Sequence, residues 1–386
     1  MPRIQPFTGL VYAPSAGDPT ALTAPPYDAI TDEERQAYLA ANPHNVVRLI
    51  LGDEHRGDDD RENKYTRAGA LLRTWREAGV LVETPEPSVF VYEMAFERDG
   101  PRRVRGLIAA IELEPFGEGI VPHERTMPGP IDDRLRLIRQ ARANLSPVYA
   151  VLRGPCPPQR AVIERAGARR PDLEATDPSG VVHRLWIEPG IPEELVQAYA
   201  GESLLIADGH HRYTTALAYR EEMREAHGPG PWDAMMLLVV EAVEDPPVLP
   251  IHRVIRGADV PAPGFAVGSL EEALRIVSDE DLRFAVATSN GDGVSFRVAR
   301  LDGGDPPTVV AIHDRILSRY PEAEVGFEAD AERAVAAAAG GATTYLLPPT
   351  HVDAIRAVIE RGDRLPQKST WFWPKPRTGM VIRPLD

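Results

Sequence analysis

Asp208, Gly209, His210, His211 and Arg212 place an acid, a turn residue, two imidazoles and a guanidinium at successive positions. They follow the apolar run Leu204–Ala207 and open a helical pattern. A strand, a tight turn and a helix start leave unpaired main-chain N–H groups aimed outward, a ready anion site. Gly209 permits the sharp turn and the close approach of a ligand to the backbone. Arg212 adds a fork suited to phosphate or carboxylate oxygens. His210 and His211 stand about 100° apart on a helix, so one can face a ligand while the other packs. Thr214 and Thr215 add hydroxyls to the same turn. Asp208 is open to four roles: capping the helix, orienting a histidine, holding a metal ion, or taking a substrate proton. A cap alone accounts for an isolated Asp-Gly but needs none of the polar residues that follow.

Two further clusters carry chemistry. In IVPHERTMPGPIDDRLRLI, His123, Glu124, Arg125 and Thr126 stand between a strand-like run and a Pro/Gly-rich loop, a setting that commonly holds functional groups. Glu124 is the candidate general base, provided it reaches a substrate proton; a structural Glu–Arg pair is the plain alternative. In PQKSTWFWPKPRTG, Lys368, Ser369, Thr370 and Lys375 are placed to contact phosphate oxygens. Trp371, Phe372 and Trp373 suit either a base-stacking platform or the core, and aromatics serve the core more often. The Walker loop, the Gly-x-Gly-x-x-Gly fingerprint after a strand and the His-Glu-x-x-His metal motif are all missing, as is a Gly-x-Ser-x-Gly elbow.

The elements that must position these residues alternate throughout. Thr31 with Glu34 forms a capping box ahead of a helix. NVVRLILG reads as a short buried strand, and KYTRAGALLRTWREAGVL as a helix with Ala68, Leu71, Leu72, Trp75 and Leu81 near the helical period. SVFVYEMAFE and RVRGLIAAIELE flank an Asp-Gly turn as a hairpin. IDDRLRLIRQARANL is a helix, with Asp132 and Asp133 read into its dipole-favoured first turn. SPVYAVL, VVHRLWIE and MMLLVVEAVE read as strands, and from about 258 helices alternate with shorter strands. The expected fold class is α+β, mixed sheets with surrounding helices. The expected parts are 1–150, 151–257 with the DGHHR turn, and 258–386 as a C-terminal α/β module with QKSTWFWPK.

Composition narrows the partners. The formal charge of −15 sets repulsion from polyanions, so broad nucleic-acid binding is not expected. One cysteine, Cys156, leaves no internal disulfide and no cysteine-built zinc site. MPRIQPFTGL lacks a signal-peptide pattern and no run approaches membrane-spanning length, so a cytoplasmic protein with no membrane partner is expected. Of 43 lysines and arginines only Lys64, Lys368 and Lys375 are lysines, which draws attention to each.

The set APPYDAI, NVVRLILG, PHERT, DRL, NLSP, ADGHHRYTTAL, LPIHR and PQKSTWFWPK-x-x-TG resembles, from end to end, a conserved prokaryotic family labelled as a domain of unknown function. Members of that family often accompany serine-biosynthesis genes, which implies a role in that pathway. Asp208–Arg212 is also similar to the phosphate-binding signature of the ParB–sulfiredoxin fold group, which includes kinases of free serine. That similarity implies a ParB/sulfiredoxin-like core in which Gly209, His210, Arg212 and Thr214 contact phosphate and Asp208 or Glu124 serves the acceptor. Gly209 stands where sulfiredoxin would carry its catalytic cysteine, and no helix-turn-helix module is present, so neither of those activities is expected.

Three functions remain open on these motifs. The first is a nucleotide-dependent phosphotransferase or nucleotide hydrolase acting on a small hydroxylated metabolite, free L-serine first among them. It would hold ATP or ADP at Asp208–Thr215 with help from His123, Arg125, Thr126, Lys368, Ser369, Thr370 and Lys375, and magnesium on Asp208. The second is a non-catalytic nucleotide or phosphometabolite sensor. The third is a metal-dependent hydrolase with His123, His210, His211 and Asp208 as ligands.

Overall fold

The computed structural model describes residues 2–98, 100–117, 119–124, 128–291, 293–303 and 307–386. Arg125 and Thr126, and Asp99 of the expected Asp-Gly turn, lie outside the described residues. The fold is mixed α+β, and it forms two compact units. The first comprises Met1–Pro122, Thr126–Pro246 and Pro374–Asp386; the second comprises His123–Arg125 and Pro247–Trp373. The first unit thus runs through position 150, and the segment with Lys375 belongs to it, apart from Lys368–Thr370.

The first unit is built on a nine-stranded sheet. Its strands in chain order are β1 (Ile4–Gln5), β2 (Ser88–Glu97), β3 (Pro101–Glu112), β4 (Ile120–Val121), β5 (Val148–Leu152), β6 (Leu173–Thr176), β7 (Val182–Pro189), β8 (Leu204–Asp208) and β9 (Ala234–Glu241). The spatial order is β4-β8-β5-β9-β3-β2-β7-β6, with β1 beside β3. β2 and β3 pair antiparallel as the expected hairpin, while β8 runs parallel to β4 and β9 parallel to β5. The central strands are apolar up to their last residues, Asp208 of β8 and Glu241 of β9, because both faces are covered: Val148, Ala150, Leu204, Ile206, Leu237 and Val239 are almost fully buried. That burial fixes β8 firmly, and its last residue is therefore a rigid mount.

Two local expectations are corrected. NVVRLILG is not a strand: Val47–Ile50 is a short helix whose start is set by Asn45, its Oδ1 accepting from Val47 N–H at 2.9 Å. Val47, Leu49 and Ile50 are all buried, and an apolar run buried all round carries no period to separate helix from strand. The helix expected from IDDRLRLI begins earlier, at Pro128, so Asp132 and Asp133 lie beyond its first turn. The Thr31–Glu34 capping box forms as expected, with hydrogen bonds of 2.8 and 3.2 Å.

The second unit holds a six-stranded, wholly antiparallel sheet. Its strands are β10 (His252–Arg256), β11 (Phe265–Val267), β12 (Arg283–Ser289), β13 (Val294–Arg300), β14 (Glu324–Glu328) and β15 (Thr343–Leu346), ordered β11-β13-β12-β15-β10-β14. Val254, Ala285, Val298, Ala334 and Leu346 form its core. Among the described residues no helix is long and apolar enough to cross a membrane.

Candidate functional site

The end of β8 is re-aimed by an irregularity: the register with β5 shifts between Ile206 and Asp208, leaving Ala207 as the extra residue. Gly209 then turns the chain with φ +95°, a left-handed conformation that suits glycine, and the helix His210–His227 follows. The N-cap, Gly209, has no side chain with which to cap the helix, and no acid occupies its first turn. His210, His211 and Arg212 stand there instead, where the helix dipole favours negative charge. A helix that begins with a guanidinium gains from an anion brought to that end.

Asp208 is the hub of the corner. Arg212 Nη2 donates to Asp208 Oδ2 at 2.5 Å, and Lys375 Nζ donates to Asp208 Oδ1. Arg212 also reaches the Pro147 carbonyl at 2.5 Å. The three side chains are 9–11% exposed. Burial pulls the Lys375 ammonium down, but Asp208 and Asp28 outweigh it and hold the group above its ordinary value. His210 is buried and His211 half-buried. The Thr214 hydroxyl is buried with no hydrogen-bond partner among the described residues, and Thr215 donates to the Ile131 carbonyl at 3.4 Å.

Segments remote in sequence meet here. Thr378 pairs with Ala24 and shares a 2.7 Å hydrogen bond with Ser146, which ties WPKPRTG to both APPYD and NLSP. Tyr27 lies under the Arg134 guanidinium at 4.1 Å from the ring centre. Burial first, then Asp28, raise the Tyr27 hydroxyl to about 12 against the pull of Arg134 and Arg212, so it stays protonated. A cavity of about 60 Å³ opens beside the corner, lined by Tyr27, Arg134, Ser146, Arg212 and Thr215 among others. A second, of about 480 Å³, shares the Tyr27, Ile50, Arg134 and Leu137 wall and adds Arg35, Asp53, Lys64, Tyr65 and Asp133. Asp133 accepts from Tyr65 at 2.7 Å and from Arg134 Nε at 2.7 Å, with Lys64 at 3.3 Å. Tyr27, Lys64, Arg134 and Asp133 line these cavities and are not among the site residues expected from the sequence; the scarcity of lysine is the one signal for Lys64.

His123, Glu124, Lys368, Ser369 and Thr370 gather in the second unit. Glu124 accepts from the main-chain N–H of Lys368, Ser369 and Thr370, and from the Thr370 hydroxyl, at 3.0–3.1 Å. His123 Nε2 lies 2.7 Å from the same hydroxyl. Glu124 therefore holds a loop rather than standing open as a base. Phe372 is buried, as expected of a core aromatic, and Trp371 and Trp373 are half-buried.

Magnesium on Asp208 does not fit what is there: both carboxylate oxygens already face buried cations. Among the described residues no three His, Cys, Asp or Glu side chains converge as a metal ligand set.

Gly209→Ala tests the turn. A Cβ at this φ would lie 2.9–3.1 Å from the Arg212 guanidinium, whose escape is blocked by its bonds to Asp208 and Pro147. We expect a loss of about 1–2 kcal/mol in urea unfolding from the left-handed backbone alone. An unchanged midpoint would show the corner to be slack.

The chain belongs to the family of proteins of unknown function DUF1015, whose model matches residues 4–328. A comparison with curated proteins found no match. Among solved structures the chain is similar to a free serine kinase in complex with AMP, at 13% identity and TM-score 0.35, covering 67% of this chain and 89% of that one. It is also similar to SbnI with C-terminal truncation from Staphylococcus aureus, at 12% identity and TM-score 0.37, covering 70% and 85%. A conserved hypothetical protein from Pyrococcus furiosus matches at 13% identity and TM-score 0.35, covering 68% and 95%.

Proposed function

We propose that this member of the family is a nucleotide-dependent phosphotransferase whose phosphate site is the Asp208–Thr215 corner with Lys375. The observation that carries the reading is the pair of buried cations, Arg212 and Lys375, converging on one carboxylate where Gly209 turns the chain into a helix, beside a cavity. An incoming phosphate takes over the two cations and the first N–H groups of the helix. Asp208 is then released toward the acceptor. The acceptor oxygen attacks the terminal phosphorus of the nucleotide, its proton passes to Asp208, and the bond from that phosphorus to the leaving nucleotide (a nucleoside diphosphate from ATP, a monophosphate from ADP) breaks. Catalysis of this kind is positioning plus charge neutralisation, which the corner's residues supply.

The larger cavity suits a small zwitterionic acceptor. Arg35, Lys64 and Arg134 offer cations, and Asp53 and Asp133 offer carboxylates, around about 480 Å³ of space. Free L-serine carries both charges and the hydroxyl. A sensor that only binds the nucleotide uses the same corner, and Glu124, committed to a loop, favours it over a mechanism with Glu124 as base. A turnover assay with ATP or ADP and L-serine separates the two.

The test of the site is calorimetry with ADP on the wild type and Arg212→Ala. The variant is expected to keep its circular dichroism spectrum and to lose at least about tenfold in affinity, as befits a lost charged contact worth 1.5–3 kcal/mol. Equal affinities would refute the assignment.

A further inference from the structure

Three consecutive main-chain N–H groups aimed at one point make a concave anion receptor. In the second unit such a receptor is filled from within the chain. Lys368 N–H donates to Glu124 Oε2 at 3.0 Å, and Ser369 and Thr370 N–H donate to Oε1 at 3.0 and 3.1 Å. The Thr370 hydroxyl adds a fourth donor at 3.0 Å. The carbonyls of the same loop are turned away: Arg253, fully buried, caps Lys368 O at 2.9 Å and Gln367 O at 3.4 Å. Its guanidinium stays charged, since burial lowers it only to about 10. Lys368 holds the arrangement at φ +52°, a left-handed conformation that a side chain seldom adopts unless its surroundings impose it. Amides forward, carbonyls on a buried cation and a lysine at the turn are the parts of a phosphate cradle.

We propose that the loop Pro366–Thr370 is a receptor for a phosphoryl group, in which Glu124 is the resident stand-in that a phosphate or phosphate monoester displaces. The exchange trades one oxyanion for another, so no amide is left unpaired at either end of it. A carboxylate brings two oxygens to the four donors and phosphate brings three, which favours the guest. Ligand entry frees Glu124, whose neighbour His123 remains tied by its carbonyl to Leu365 N–H at 2.8 Å. The residues of this site are distinct from those of the Asp208 corner, and the proposal does not rest on the function assigned to that corner.

The experiment follows hydrogen exchange at the amides of residues 368–370 in the full-length protein, because this readout ignores phosphate bound elsewhere. The amides, each bonded to Glu124, are expected to exchange slowly in the wild type without phosphate. In Glu124→Ala they are expected to exchange roughly tenfold to a hundredfold faster, the equivalent of lost charged hydrogen bonds. Millimolar inorganic phosphate should then slow them again, saturably. Recovery with inorganic phosphate identifies the free anion as sufficient; recovery with ADP alone identifies a phosphate ester as the ligand. Fast exchange with both overturns the proposal. If Glu124→Ala does not fold, Glu124→Gln carries the same test with a neutral occupant. Failure of both variants to fold even in phosphate makes Glu124 a structural clasp and equally overturns it.

Discussion

Asp208→Ala is expected to destabilise the first unit by about 3–5 kcal/mol, the usual cost of removing one member of a buried ion-pair group. Arg212 and Lys375 would be left as two buried cations facing each other without their shared carboxylate. The same vacancy makes the variant more responsive to anions than the wild type. Inorganic phosphate can stand where the carboxylate stood, and a ligand that binds only the folded state stabilises it by RT ln(1 + [L]/Kd). Urea unfolding of both proteins across a phosphate series measures the two effects together. Large destabilisation with strong phosphate recovery identifies the corner as an anion site. Large destabilisation that phosphate leaves untouched would reduce Asp208 to a structural pair and take the proposed function with it.

That outcome matters because the corner is more enclosed than its sequence suggests. The Asp-Gly turn was legible because local rules govern it: an apolar strand, a residue able to adopt positive φ, and a polar run no cap requires. The side-by-side split of His210 and His211 follows from the helical period alone. What no local rule carries is partnership. Nothing near position 208 announces Lys375, and Arg212 looks equally free whether or not Asp208 and the Pro147 carbonyl already claim it. Arg134 shows only as a charged residue on a helix until Tyr27, from the other end of the unit, lies beneath it. Glu124 is the sharpest case. Its type fits a base, yet its role is set by three amides more than 240 positions away.

Acid should unlock the second unit before the first loses its ion pairs. Burial, followed by the nearby Arg253 guanidinium, lowers both His252 and His313 to about 4 from the ordinary 6.5. Both rings act as acceptors: His252 Nδ1 takes Leu347 N–H at 3.0 Å, and His313 Nε2 takes Arg253 Nε at 2.9 Å. Between pH 6.5 and 4 the unfolded chain binds protons that the folded unit refuses, so stability falls as the pH falls. Each histidine contributes about 1.4 kcal/mol per pH unit across that window, several kcal/mol for the pair. Asp279, raised by burial, works in the opposite sense, but only as the pH falls through its own carboxyl range. The carboxylates held lowest, Asp58 and Asp177 at about 2, release their share only in stronger acid. Hydrogen exchange of second-unit amides at pH 7 and pH 5, corrected for intrinsic rates, reads the effect locally. His313→Gln keeps an acceptor for Arg253 without a titrating ring, and it should remove about half of the pH dependence. A variant that retains the full slope would mean that His313 already shares its proton with solvent, and that Arg253 holds the 367–368 carbonyls by itself.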